Sequence, residues 1–533
     1  MEINKTKKVV QGAFLLTIAG LLSKIVSATY RIPLQNLTGD FGFYIYQQVY
    51  PLIGTVMILS LYGFPIAISK LTTEMKQKNN LLTIRHFYIP LFIILLVINS
   101  IFFMIIFFLS PLISTWIGDE NLTSTYQLAA FLFLLIPFLA LLRGVFQGNE
   151  EMHQTAYSQI IEQVIRVSII ITAAYYIFMG KLDIYMIGKA GVMASMLGMG
   201  VAIVLCMIFF MLKHKKMIVV PSFQTNIPWK YFIFTCISFG IVGSLNHMIL
   251  IMIQFVDVFT LVPNLMEYGL SPMEAMEAKG IFDRGQPFIQ FGVVFGSSFA
   301  LAIIPTVVRE NIRANMSTIQ SVREALLFSF YIAFGATLGL ILLLPEANRL
   351  LFTNNDGTGS LQILVIAILL SSITITTCAI LQSIGYLKQT AIWISVTFLI
   401  KWLLNELFVP FWGIYGSAIA TVGSLFFLCV ASILLLQRKV PAIYFFRHIR
   451  WQALFVASGG MFLYIMGVKG LCTFYGELSR VSLLFYVCFV VFSGALLYIC
   501  LLLRYNVFTE KQLSTLPFSR LFLRLQALFV KGN

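Results

Sequence analysis

Fourteen apolar runs, each longer than 20 residues and separated by short polar connections, fix what this chain can fold into. They lie near 9–33, 41–69, 84–109, 124–147, 155–179, 184–212, 229–260, 281–308, 322–345, 360–384, 389–410, 412–437, 449–469 and 482–503. About 20 residues at 1.5 Å each cross the ~30 Å of hydrocarbon in a bilayer. Inside that hydrocarbon every backbone polar group needs an internal partner, so the spans are helices. Only 11% of the 533 residues are charged, far below the roughly 25% of soluble domains. The fold class that follows is an all-α polytopic membrane protein with about 14 transmembrane helices. The first run is read as span 1 and not as a cleaved signal, because another membrane segment follows it directly. The seven cysteines stand singly, mostly inside apolar runs and without metal-ligand spacing, so they predict no metal site.

The basic residues orient the spans. With the N-terminus in the cytoplasm, 25 Lys and Arg fall on the inner side, 8 on the outer side and 3 within spans, as the positive-inside rule requires. Both termini are then cytoplasmic, which an even span count permits. The net charge of +15 is mostly this topology signal. No basic stretch sits on a soluble domain, so a nucleic-acid partner is excluded.

The chain also repeats itself. Gln147-x6-Gln154-Thr155-Ala156-x9-Arg166 recurs with every spacing kept as Gln382-x6-Gln389-Thr390-Ala391-x9-Lys401. Gln48 and Pro51 in span 2 match Gln286-Pro287 in span 8, and Gly191-x2-Ala194-x3-Gly198 in span 6 matches Gly416-x2-Ile419-x3-Gly423 in span 12. A duplication of six spans predicts two parallel repeats around a central cavity, with substrate near the midplane. The expected organisation is an N-lobe over 1–220 (spans 1–6), a C-lobe over 221–440 (spans 7–12), two extra helices over 441–503, and a cytoplasmic tail over 504–533. In that tail Phe518, Leu521, Phe522, Leu525, Leu528 and Phe529 recur at helical spacing. They make an amphipathic helix, lying either on the inner leaflet or on the protein's own inner surface.

No residues suggest catalysis. A phosphate-binding G-x4-GK-[ST] loop and an HExxH pair are both missing from the sequence, so neither ATP hydrolysis, a cofactor nor a metal is indicated. His247 beside Asn246 reads as a hydrogen-bonded helix contact before it reads as a proton relay. Intramembrane cations are more informative, because a Lys or Arg at bilayer centre costs roughly 2.5–3.5 kcal/mol and tends to face a cavity or a partner. Lys24, Arg166 and Lys401 are such residues. Glu162 stands one turn before Arg166 and can pair with it. Glu406 is displaced by about 140° from Lys401 on an ideal helix, so Lys401 is expected to look into a cavity. Arg31 and Arg284 sit toward outer span ends, where snorkelling explains them as well as a cavity does. Lys70, Arg85, Arg143 and Arg309 at inner ends read as topology determinants. A deep cleft lined by Lys24, Arg31, Arg166, Arg284 and Lys401 would suit phosphate or pyrophosphate.

At this point the chain resembles a known family. Arg143-Gly144-x-Phe146-Gln147-Gly148-x3-Met152-x-Gln154-Thr155-Ala156-x-Ser158-Gln159-x2-Glu162-Gln163-x2-Arg166 is similar to the signature of the stage V sporulation protein B and YtgP group of polysaccharide exporters. Gly63-Phe64-Pro65-Ile66-Ala67-Ile68-Ser69-Lys70 and Asp283-Arg284-Gly285-Gln286-Pro287 resemble the same group's spans 2 and 8. That group belongs to the multidrug/oligosaccharidyl-lipid/polysaccharide (MOP) exporter superfamily and is similar to the MurJ lipid II flippases. The resemblance implies a MOP/MATE-like fold of two six-helix lobes, a V-shaped cavity, alternating access and a bacterial cytoplasmic membrane location. Ser23-Lys24 matches a Ser-Arg pair of the MurJ proteins, Arg31 lies one position beyond a second arginine, and Arg284 looks like a third. Thr55 stands where that family carries a basic residue.

The reading that follows is a secondary transporter, not an enzyme, that flips an undecaprenyl-pyrophosphate-linked saccharide, a peptidoglycan precursor or a relative of one. Its partners would be that substrate, membrane lipids and envelope-synthesis enzymes, with the chain itself a monomer. The rival is a proton- or sodium-coupled multidrug exporter of the same superfamily, for which Glu162 and Asp257 are the coupling carboxylates. A non-transporting scaffold for envelope enzymes is a third.

Overall fold

A computed structural model of the chain describes residues 19–77, 87–213, 229–309, 316–473, 479–508, 523 and 526, without the side chains of 298–309, 317, 472 and 473. The basic N-terminal tail, the linker between spans 6 and 7, and nearly all of the expected amphipathic tail lie outside the described residues. The described residues are helical and contain no strand. Eleven helical stretches among them are long and apolar enough to cross a membrane. Two of these run far beyond one crossing, Ala19–Gln77 with 59 residues and Leu387–Lys439 with 53. Each is broken at a glycine in the left-handed region, Gly39 (φ 69°) and Gly413 (φ 54°). A side chain there would be strained, and each stretch is long enough for two crossings.

The described residues fall into two compact units. The first holds the chain up to Asp283 together with Leu387–Gly413, and the second holds Arg284–Tyr386 and the chain from Ile414. These units are defined by packing, whereas the sequence lobes are defined by repetition. Residues 229–283 and the first half of the long C-terminal helix therefore pack with the N-terminal spans.

In the first unit, α1 (19–29) leads through Tyr30 into α2 (Arg31–Ile58), a π-helical turn (Leu59–Gly63) and α3 (Phe64–Gln77). The hairpin of α4 (Ile89–Ile117) and α5 (Thr123–Gly148) follows, then that of α6 (Met152–Phe178) and α7 (Met186–Lys213). Tyr126 on α5 donates its hydroxyl to the Gln48 carbonyl of α2 at 2.7 Å, fixing one hairpin against the N-terminal helix. Span 7, expected as one helix over 229–260, is two: α8 (Trp229–Thr235), prolonged by a π segment (Cys236–Val242), and α9 (Ile249–Glu267). The break covers 245–248, directly after Ser244, whose hydroxyl donates to the Ile241 carbonyl at 2.6 Å, a local side-chain bond of the kind that competes with helical pairing. A short helix, α10 (Pro272–Asp283), then precedes the expected span 8.

The second unit holds α11 (Gly285–Arg309), α12 (Met316–Phe352), α13 (Thr358–Leu364), α14 (Ala367–Ser383), the latter half of α15 (Leu387–Lys439), α16 (Trp451–Thr473) and α17 (Arg480–Arg504). The last two helices pack on α12. The Tyr498 hydroxyl donates to the Tyr331 carbonyl at 2.9 Å, and Lys469 pairs with Glu346 at 2.9 Å.

Candidate functional site

Ten charged side chains are buried among the described residues, six cations and four carboxylates. In a membrane protein such groups are retained where they pair or where a ligand meets them. All but one of the ten belong to the first unit, the exception being Arg284.

The first group joins α5 to α6. Glu162 accepts from Arg143 Nη2 at 2.8 Å and stands 3.8 Å from Arg166 Nη1. Arg143 also donates from Nε to the Ser158 hydroxyl at 3.0 Å, and Arg166 donates to the Gln163 side-chain carbonyl. One carboxylate thus sits between two guanidinium groups. Pairing of Arg166 with Glu162 agrees with their spacing of one helical turn. Arg143, in contrast, is not a topology residue at the inner surface. Its side chain is 1% exposed and committed to Glu162 and Ser158.

The second group joins α9 to the first half of α15. Lys401 Nζ lies 2.8 Å from Asp257 Oδ1 and donates to Asn405 Oδ1 at 2.8 Å. Asn405 in turn donates to Asp257 Oδ1 at 2.9 Å and to the Thr260 hydroxyl at 2.7 Å. Lys401 therefore does not look into an open cavity. It is fully buried, because a carboxylate from another helix and an amide one turn ahead surround its ammonium. Two residues expected in different roles, a cavity cation and a coupling carboxylate, are partners.

Close to this pair, Lys279 and Asp283 form an ion pair at 2.5 Å within α10. Asp283 feels the charges of Asp257 and Arg31, and Lys279 that of Lys401. Lys279, placed at the outer surface by the charge count, is only 1% exposed. The i,i+4 spacing of Lys279 and Asp283 is the sequence signal that would have revealed the pair. Asn405, likewise four residues after Lys401, carried the same kind of signal.

The expected cavity cations thus differ in setting. Arg31, the first residue of α2, is buried with its guanidinium 3.9 Å from the centroid of the Tyr50 ring. That is a cation–π contact with Tyr30 and Tyr46 nearby. Lys24, almost two turns earlier, is exposed. Among the described residues it makes no ion pair, and its charge is felt by Tyr50 and His247. His247 itself stacks on Tyr62, ring centroids 4.6 Å apart. In the second unit Arg284 is buried, donating to Asn354 at 2.5 Å and lying 5.5 Å from the Phe352 ring centroid. Snorkelling does not describe it.

Eleven membrane-length helical stretches among the described residues, together with buried charges, define a multi-pass membrane protein, and the fold is that of the MOP-superfamily transporters. The solved inward closed conformation of the lipid II flippase MurJ superposes with a TM-score of 0.66 at 13% identity, covering 92% of this chain and 99% of that one. An inward-facing multidrug resistance MATE family transporter of the MOP superfamily gives 0.63 at 13% identity, covering 79% and 95%. By sequence, the membrane protein YabM of Bacillus subtilis (strain 168) is 34% identical over 515 residues, 95% of this chain and 94% of YabM. Lipid II flippase MurJ of the same organism is 24% identical over 437 residues, 78% of this chain and 80% of that protein. The family model described as polysaccharide biosynthesis protein matches residues 9–309, more than half of the chain. This chain belongs to that family.

Proposed function

We propose that the protein is a flippase that carries an undecaprenyl-pyrophosphate-linked saccharide, a peptidoglycan or related envelope precursor, across the bacterial cytoplasmic membrane by alternating access. Lys24 and Arg31 are the proposed substrate-facing cations, Arg166 and Lys401 being held in ion pairs; two six-helix repeats and fourteen crossings are the proposed frame, with both termini cytoplasmic. The observation that carries the reading is Lys24. An exposed ammonium inside a membrane span, with no carboxylate partner and with the buried Arg31 guanidinium sharing Tyr50 as a neighbour, invites an anionic ligand. Ammonium and guanidinium groups in a poorly solvated setting suit a pyrophosphate. The relatives support the substrate class, since a lipid II flippase is among them.

The excess of buried cations over carboxylates argues in the same direction. A cation-coupled exporter of cationic drugs would use Glu162 or Asp257, and each of these is already neutralised by a basic partner. Depletion of the protein followed by mass spectrometry of lipid-linked precursors tests the proposal. Accumulation of one prenyl-pyrophosphate saccharide is expected and names the substrate. Unchanged precursor pools, with loss of dye efflux in Glu162→Gln, would transfer the assignment to drug export.

A further inference from the structure

The first unit contains a cavity of about 340 Å³ with no polar surface in its lining. It is walled mainly by four helices. Phe102, Ile106 and Ile113 come from α4, and Phe255 and Phe259 from α9, while α2 and α5 close the remaining sides. Phe102 to Ile113 is eleven residues, about 16 Å of helix. Divided into the volume, that length leaves a section of roughly 20 Å², the width of a single unbranched hydrocarbon chain.

Three hydroxyls border the cavity and none is offered to it. Thr55 donates to the Pro51 carbonyl at 2.9 Å, Ser244 to the Ile241 carbonyl at 2.6 Å, and Tyr126 to the Gln48 carbonyl at 2.7 Å. A site of this size with its polar groups satisfied internally stays dry and takes hydrocarbon. An apolar cavity of about 150 Å³ accepts benzene, six carbons, so this one holds roughly a dozen. Ten of its fourteen lining residues lie within membrane-length helices, where the surrounding solvent is lipid.

Its position explains why it is open. The π turn Leu59–Gly63 and the π segment Cys236–Val242 press together, and a Cβ on Gly63 would stand 2.6 Å from the Gly240 carbonyl oxygen. π-helical turns widen a helix locally and are frequent at functional sites. Leu59 and Ile241 from these turns, with Ser244 just before the break at 245–248, line one end of the slot.

We propose that this slot binds one acyl chain of a bilayer phospholipid, separately from any saccharide substrate. The bound chain fills the gap between α4 and α9 and sets the spacing of α2 and α9 where both depart from regular α-helix. The narrow section favours an unbranched chain over an isoprenoid, whose methyl branches widen it.

The full-length protein is reconstituted in phosphatidylglycerol vesicles doped with phosphatidylglycerol that carries a mid-chain diazirine, photolysed and mapped by peptide mass spectrometry. Adducts are expected on Phe102, Ile106, Phe255 or Phe259. Thr55→Phe or Ser244→Phe, which place an aryl group in the slot, should lower them several-fold and leave adducts on lipid-facing Val97 and Phe108 unchanged. If thermal unfolding shows those variants misfolded, Ile106→Trp on the partly exposed α4 makes the same test. Adducts confined to outward faces, or slot adducts indifferent to filling, overturn the proposal. Displacement by undecaprenyl phosphate but not by unlabelled phosphatidylglycerol overturns the phospholipid assignment and gives the slot to a prenyl tail.

Discussion

Arg166 and Lys401 occupy the same place in the repeated Gln-x6-Gln-Thr-Ala motif, yet each is neutralised in its own way. Arg166 finds Glu162 on its own helix, one turn back, and shares it with Arg143 from the preceding helix, α5. Lys401 finds Asp257 on α9, far away in the chain, and Asn405 one turn ahead. The first arrangement is local and held by several donors. The second ties together two segments that only tertiary structure brings near, and a single carboxylate carries most of it. A cation at a repeated position is thus not evidence of a repeated role. The Lys401 network is the more fragile of the two and the better placed to respond to movement between helices.

The largest predicted effect breaks that network. Lys401→Ala removes the ammonium that lies 2.8 Å from the buried Asp257 carboxylate. Loss of one partner from a buried pair costs about 3–5 kcal/mol, so a clear fall in thermal midpoint is expected in detergent-solubilised protein. Asp257→Ala/Lys401→Ala should recover most of the loss, because no charge is then stranded. A double variant as unstable as the single would show that the pair contributes packing and not charge balance.

Glu162→Gln should be milder. Arg143 keeps Ser158 and Arg166 keeps Gln163, and the amide oxygen can still accept, so about 1–3 kcal/mol is expected. A cost above that of Lys401→Ala would invert the comparison. Lys24→Ala sharpens it from the other side, since an exposed side chain without an ion pair contributes within about 0.5 kcal/mol to stability. Its thermal midpoint should stay put while translocation of a prenyl-pyrophosphate saccharide in proteoliposomes falls. Equal flipping in Lys24→Ala and the parent would remove Lys24 from the proposed site.

The two networks also differ in how far the sequence displays them. Glu162 and Arg166 are one turn apart on a continuous apolar run, so helical geometry announces the pair. Asp257 and Lys401 share no local spacing, and only the packing of α9 against α15 joins them. The spans were legible because hydrocarbon demands long apolar runs, and the gaps at 34–40 and 411 lie beside the breaks at Gly39 and Gly413. The π segments and the interruption at 245–248 were not, since a widened turn leaves the apolar character of a run unchanged. Arg143 was misjudged for a related reason. Nearness to a span end says nothing of which way a long side chain points.

Asp119 offers a third solution to the same problem and the smallest predicted effect. This buried carboxylate, in the connection between α4 and α5, is held by the Tyr185 hydroxyl at 3.2 Å, the Asn121 backbone N–H at 3.2 Å and the Tyr44 hydroxyl at 3.4 Å. Burial pushes its pKa up, against the opposing effect of these donors. A carboxyl whose pKa is higher in the folded state binds more protons there, so its contribution to stability is greatest at low pH. That contribution is lost as pH rises through the folded value. Asp119→Asn should therefore leave the thermal midpoint unchanged at pH values below the ordinary carboxylate range and raise it slightly at neutral pH. A midpoint lowered at neutral pH would mean that the hydroxyl donors outweigh burial. Asp119 would then be as well compensated by neutral groups as Glu162 and Asp257 are by cations.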